Sequence, residues 1–305
     1  MASNGYFYEP VQVKTTTSIS NRTLNTVAAL LHLSQAVAVI CLIAFTENHS
    51  TKNDGMPLSK GRFQLFKQVA SWNENDKLND STKLVQSHNQ NFTIVLEEHQ
   101  VGHIDVRYGI LAFFLLSGLF QGWVSYATEG EEDFQCWSVT MRYLEYSISA
   151  SVMVLCIAVE TAVFQIYTLI NMFVLTFVTM ILGLLAQTLQ TQGWLWLVPH
   201  LLGWLTIAAA YAPVLDSFLS AARGPVKPPD FVYCIVILEF ALFMSFGFVQ
   251  LYELWSGTVS MIEKGGRLDA SISKAATRWF ILLSLTAKTL LAWLILSPIV
   301  IDAVR

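Results

Sequence analysis

The chain has 305 residues, 54% of them hydrophobic and only 13% charged, with mean hydropathy +0.49. Soluble domains carry about 25% charged residues, so this composition excludes an ordinary soluble fold and points to a bilayer. The net charge is −4, and no basic stripe alternates with aromatics, which argues against a nucleic-acid partner.

Residues 1–23 are polar and lack an apolar core, so they read as a tail rather than a cleavable signal. A spanning helix needs about 20 mostly apolar residues. Seven stretches qualify: 24–46, 105–127, 138–162, 166–190, 194–217, 230–254 and 275–301. The expected fold is an all-α membrane protein, a seven-transmembrane-helix bundle over 24–305. Only Thr161 to Tyr167 separates the third stretch from the fourth. Cys41, Cys156 and Cys234 fall inside spans and Cys136 near the mouth of one, with no zinc or disulfide spacing.

The connection 47–104 differs from the others. It is polar, about 58 residues long, and carries the sequons Asn48-His49-Ser50, Asn79-Asp80-Ser81 and Asn91-Phe92-Thr93. Three sequons in one loop favour an extracellular or lumenal face. Within it, Phe92-Thr93-Ile94-Val95-Leu96-Glu97 is β-branched and aromatic and predicts a short strand, with the rest of the loop irregular. Short loops set orientation by their Lys and Arg content. Lys14, Arg22, Lys264, Arg267, Lys274 and Arg278 lie on the N-terminal side, against Arg223, Lys227 and Arg305 on the other. Six against three predicts a cytoplasmic N-terminus and an external C-terminus.

Few ionisable or strongly polar groups fall inside the spans: His32, Gln35, Gln121, Arg142, Glu145, Glu160, His200, Glu239 and Lys288. Such residues face the bundle interior and pair with one another. Lys288 is the only cation in the middle of the last apolar run, where a charge costs roughly 2.5–3.5 kcal/mol on insertion scales. The third and seventh spans run parallel, which brings Glu145 within reach of Lys288 from about a turn away. Ser284 lies one turn before Lys288 on the same face, and Ser149 extends the Glu145 stripe into the core. Arg142, three residues before Glu145, is expected at the cytoplasmic mouth. His32 and Gln35 share a face of the first span.

The residues alone leave three readings of Lys288 open: an amine condensed with an aldehyde beside a carboxylate, a structural Lys–Glu pair, and an uncharged lysine. Glu160 is expected near water at the external end of its span. Glu239, about ten residues into the sixth, is either protonated, bonded to another helix, or part of a proton path. His200 beside Pro199 reads as a satisfied interfacial residue, and the aromatics as belts and packing.

At this point the chain resembles the heliorhodopsins. Arg142-Tyr143-Leu144-Glu145-Tyr146-Ser147-Ile148-Ser149-Ala150-Ser151-Val152-Met153 is similar to their third-helix signature. Leu283 through Trp293, with Ser284 and Lys288 inside it, is similar to their seventh helix. Leu24-Asn25 with His32 and Gln35, Val95-Leu96-Glu97 with Val101-Gly102, and Phe231-Val232-Tyr233 with Ser245-Phe246 and Val249-Gln250 extend the likeness from residue 24 onward.

The resemblance implies a seven-helix photoreceptor carrying all-trans-retinal, with an inverted topology that agrees with the charge count, and a homodimer in membrane lipid. It implies that Lys288 forms the protonated retinal Schiff base and that Glu145 is its sole carboxylate counterion. Ser284 stands where other microbial rhodopsins use a second carboxylate. Ser117 and Ser149 match polar positions of the site, and Tyr146, Met153, Met180, Phe243 and Trp293 match positions along the polyene. His32 matches one of two histidines in a cytoplasmic-side polar network; the other position is Gln121, which does not titrate. No enzymatic chemistry is implied, and no signalling partner is identified.

A photosensor without net pumping is therefore the first expectation. Light-driven or light-gated proton transport through Glu239 and Glu160 is the alternative. A ligand-activated seven-helix receptor is weaker, because Asp-Arg-Tyr is absent after the third span and Asn-Pro-x-x-Tyr from the seventh.

Overall fold

The computed structural model describes residues 19–50, 61–74, 84–86, 92–263 and 270–304. Lys14, Lys264, Arg267 and Arg305 of the charge count lie outside these residues, as do Asn79 and Asn91 of the sequons. So do the side chains of Asn48 and Cys136.

Seven long helices follow the seven apolar stretches: α1 (Asn21–Ser50), α2 (Val106–Ala127), α3 (Glu131–Glu160), α4 (Ile166–Leu189), α5 (Leu197–Arg223), α6 (Asp230–Glu263) and α7 (Ala270–Val304). The fourth and fifth spans run as one apolar stretch of 58 residues, Ile166–Arg223. A 3₁₀ segment, Gln190–Trp196, folds that stretch into two antiparallel spans. Gly193 makes the reversal at φ +71, a conformation that side chains with a Cβ rarely adopt. The α3–α4 turn closes on Thr161, whose hydroxyl donates to the carbonyls of Ile157 and Ala158.

Antiparallel neighbours bring α1's start, α2's end and α7's start to one face. There Asn21 Nδ2 donates to the Lys274 carbonyl, Arg278 to Asn21 Oδ1, and Arg22 to the Ser125 carbonyl. Helices α1 and α2 approach closely at Gly118, where an added Cβ would lie 2.7 Å from Leu33.

The opposite face carries a sheet larger than the sequence predicts. Strand β1 (Arg62–Glu74) pairs antiparallel with β3 (Phe92–Asp105), and short β2 (Leu84–Gln86) pairs with β3 on its other edge. The expected six-residue strand is thus part of a 14-residue one, and the stretch read as irregular supplies its 13-residue partner. Pairing makes the difference: β1 mixes apolar and polar residues, and its backbone groups are satisfied by a partner about 30 residues away. Val101 is the extra residue of a bulge, since Leu65 faces Gly102 and Phe66 faces Gln100.

The sheet is fastened to the bundle at its base. Phe66 N–H donates to the Phe164 carbonyl and Phe63 stacks on Phe164 at 5.7 Å. Asp105 caps α2 through the Arg107 N–H and also takes the Arg107 guanidinium on both oxygens, at 3.0 and 2.6 Å. Arg107 Nη1 donates onward to Thr46 of α1 at 2.7 Å. One buried guanidinium therefore joins α1, α2 and the end of β3. Arg107→Met should cost about 3–5 kcal/mol, the usual loss when one partner of a buried pair is removed. Thermal unfolding in detergent reads this as a clear fall in melting temperature; an unchanged melt would mean the clamp is not holding the sheet.

Candidate functional site

The site is built on α3 and α7, which the hydropathy pattern runs in the same direction through the bundle. Glu145 and Lys288 are both 2% exposed. Lys288 Nζ donates to Glu145 Oε1 at 2.7 Å and to Ser284 Oγ at 3.0 Å. Ser117 of α2 donates to the same Glu145 oxygen at 2.6 Å. Hydrogen bonds to a charged group are worth about 1.5–3 kcal/mol each, and such bonds are what make a buried pair tolerable. The offset expected between the two helices is bridged by the lysine alone: its nitrogen reaches the carboxylate directly. The Tyr146 ring lies 4.9 Å from the Lys288 nitrogen, and its hydroxyl donates to the Phe280 carbonyl at 3.0 Å.

An apolar cavity of about 360 Å³ of empty space opens from this pair. Tyr146, Ser149, Ala150, Met153, Met180, Phe243, Phe246, Ser284, Ala287 and Lys288 line it. Tyr146, Met180, Phe243 and Phe246 are shared with a second cavity of about 600 Å³ between α4, α5 and α6. Few polar groups among many apolar ones line this space, as in pockets that take apolar ligands.

Trp293 does not join it. It is 40% exposed on the outside of α7, five residues past Lys288 and so on another face of the helix. The alignment of the seventh-helix motif carries the tryptophan, and the helical pitch turns it away.

A third cavity, about 390 Å³, lies toward the face where α1 begins. Asn25, Gln121, Ser138, Arg142, Glu145 and Thr277 are among its walls, so Glu145 stands between a polar cavity and an apolar one. Asn25 donates to the Gln121 carbonyl and to Ser125. His32 is fully buried, 5.8 Å from the Phe114 ring, and neither ring nitrogen has a hydrogen-bond partner among the described residues. Gln35 Oε1 is likewise unpartnered.

Arg142 does not stand free at a mouth. Its guanidinium lies 3.9 Å over the Phe280 ring, with Nη2 3.9 Å from Glu253 Oε2. Glu253 is 1% exposed, and it is absent from the polar residues picked out by sequence. It falls at the end of the apolar run 230–254, yet α6 continues to Glu263 and the 3₁₀ segment packs on this stretch, where Gln190 donates to the carbonyls of Glu253 and Leu254.

The other acids divide. Glu160 is partly exposed at the end of α3, whereas Glu239 is fully buried with neither oxygen hydrogen-bonded among the described residues. His200 accepts from Trp204 Nε1 at 2.9 Å. Cys41 and Cys234 are exposed, Cys156 is buried, and all three are free thiols. No cluster of metal-ligating residues occurs among the described residues.

Residues 21–300 match the family model described as Heliorhodopsin. The chain belongs to the heliorhodopsin family. No curated protein matches it. Heliorhodopsins are retinal-binding photoreceptors of the microbial-rhodopsin kind, and the helices accordingly make this one a multi-pass membrane protein with retinal as the implied chromophore. The residues present fit that group. An aldehyde with a long apolar tail needs a primary amine, a carboxylate beside it, and a narrow apolar slot beyond. Lys288, Glu145 and the cavity walled by Met153, Met180 and Phe243 offer these together.

The pair also carries a stability consequence in the retinal-free heliorhodopsin. Lys288→Met leaves Glu145 buried without its cation and should cost about 3–5 kcal/mol, while Lys288→Met with Glu145→Gln should cost much less. Melting of the two variants without retinal measures this; equal losses would mean that the two side chains are not coupled.

Proposed function

We propose that this heliorhodopsin is a photosensor in which Lys288 carries all-trans-retinal as a protonated Schiff base and Glu145 is the counterion. The observation that carries the reading is the 2.7 Å Lys288–Glu145 contact at the head of an apolar cavity. Retinal, when bound, supplies visible absorption and a light-driven isomerisation that disturbs the charge beside it.

The chain's own residues do the rest. Glu145 neutralises the cationic nitrogen, and Ser117 fixes the carboxylate by donating to the oxygen that Lys288 uses. Ser284 holds the nitrogen from the other side as a neutral partner, so one carboxylate faces one cation. A change in that pairing is a local electrostatic event on α3 and α7, the two helices whose packing it would bias. With the N-terminus cytoplasmic, as the Lys and Arg count favours, the polar cavity beside Glu145 faces the cytoplasm, and the output is conformational signalling without net pumping.

Protein reconstituted with all-trans-retinal should show a visible band that Lys288→Ala abolishes and Glu145→Gln shifts to the red. A band that survives Lys288→Ala would refute the attachment, and an unshifted one in Glu145→Gln would refute the counterion.

A second reading, light-driven or light-gated proton transport, is favoured by Glu239. A carboxyl group fully buried without a hydrogen-bond partner is costly, and in membrane helices such groups mark proton relays. Glu160, partly exposed at the end of α3, would be the exit toward water. Under voltage clamp the sensor reading expects no sustained photocurrent in illuminated cells. A steady current lost in Glu239→Gln would decide for transport.

A further inference from the structure

The Arg142–Glu253 contact has no part in the pairing described so far, yet it touches the counterion's helix. Arg142 precedes Glu145 by three residues on α3, a spacing at which helical side chains are neighbours, and both line the same polar cavity. A guanidinium and a carboxylate so placed, both buried, will pair unless something holds one of them elsewhere.

Glu253 supplies that hold. Arg142 Nη2 lies 3.9 Å from Glu253 Oε2, with the guanidinium over the Phe280 ring, and the two side chains are 7% and 1% exposed. The backbone that carries Glu253 is held by contacts other than Arg142. Gln190 donates to the Glu253 carbonyl at 3.1 Å, and Gln250, one turn earlier on α6, donates to the Gly183 carbonyl of α4 at 2.8 Å. That stretch of α6 is therefore tied to α4 and the 3₁₀ segment, and the Glu253 carboxylate, which accepts no hydrogen bond among the described residues, has Arg142 as its charged neighbour from α3.

We propose that Glu253 is a positioning residue for the counterion: it keeps Arg142 on α6 and Phe280, so that Glu145 gives its charge to Lys288 alone. The proposal rests on the retinal reading above. Without Glu253, Arg142 turns to its neighbour on α3, one carboxylate is divided between two cations, and the field on the Lys288 nitrogen weakens.

The test compares wild type, Glu253→Gln, Arg142→Gln and the double variant, each reconstituted with all-trans-retinal. Glu253→Gln should shift the visible band to the red, by less than Glu145→Gln does, and the shift should vanish in the Arg142→Gln background. Glu253→Asp, which keeps the charge but withdraws it, should shift the band by less than Glu253→Gln. No shift in Glu253→Gln, or a shift of equal size with and without Arg142, would overturn the proposal. The second result would mean that Glu253 acts on the chromophore directly. A wild type with no band at all would instead remove the retinal reading, and this inference with it. The four proteins without retinal give an independent readout, because their melting temperatures should be non-additive if Arg142 and Glu253 interact. Additive losses would also overturn it.

Discussion

Taking a lysine ammonium and a carboxylate out of water costs several kcal/mol per ion, and their attraction repays this only with good geometry and further hydrogen bonds. The Lys288–Glu145 contact meets both conditions. Its 2.7 Å bond is flanked by Ser117 on the acceptor and Ser284 on the donor, contributed by α2 and α7. Moving any of these helices by a fraction of a turn would leave a charge unpaired in the interior. The pair thus fixes the relative depth of α2, α3 and α7 as firmly as any apolar packing, and the apolar cavity beyond it inherits its shape from that registration.

The same constraint shapes the polar cavity toward the N-terminal face. A buried arginine one turn from Glu145 would compete with Lys288, so the fold needs a second carboxylate to occupy it. Glu253 fills that need from α6, with Gln190 bonded to its carbonyl and Gln250 tying the preceding turn to α4. Trp196 adds a further tie from the 3₁₀ segment, donating to Thr258 at 2.9 Å. Two cations and two carboxylates are thereby sorted into separate pairs across three helices.

Much of this was legible in the sequence, for physical reasons that also mark its limits. A bilayer demands about 20 apolar residues per span, so seven helices could be counted from hydropathy, and Lys288 stood out because no solvent can excuse a cation at that depth. Glu145 followed from helix direction. Glu253 escaped because depth at the end of a span is ambiguous: only the covering segment Gln190–Trp196 removes its water, and that contact is tertiary. Strand β1 escaped because its apolar and polar residues do not alternate regularly, as at Leu65-Phe66 and Lys67-Gln68, and its register comes from β3. Trp293 was misplaced by treating a motif as a line of residues, whereas five residues along a helix turn well away from the starting face.

The opposite half of the bundle meets a different demand. Its mouth lies beneath a sheet anchored by Phe63 on Phe164 and by the Asp105–Arg107–Thr46 chain. Satisfying Arg107 entirely within protein lets the base of the sheet sit on the helices without leaving a buried donor unpaired. Glu239, like His32, is fully buried without a hydrogen bond among the described residues, whereas Arg107, Asn25, Ser117 and Gln190 are engaged. Glu239 lies one turn from Phe243, which lines the cavity beyond Lys288, so a rearrangement of that cavity wall moves the helix that carries this unbonded acid.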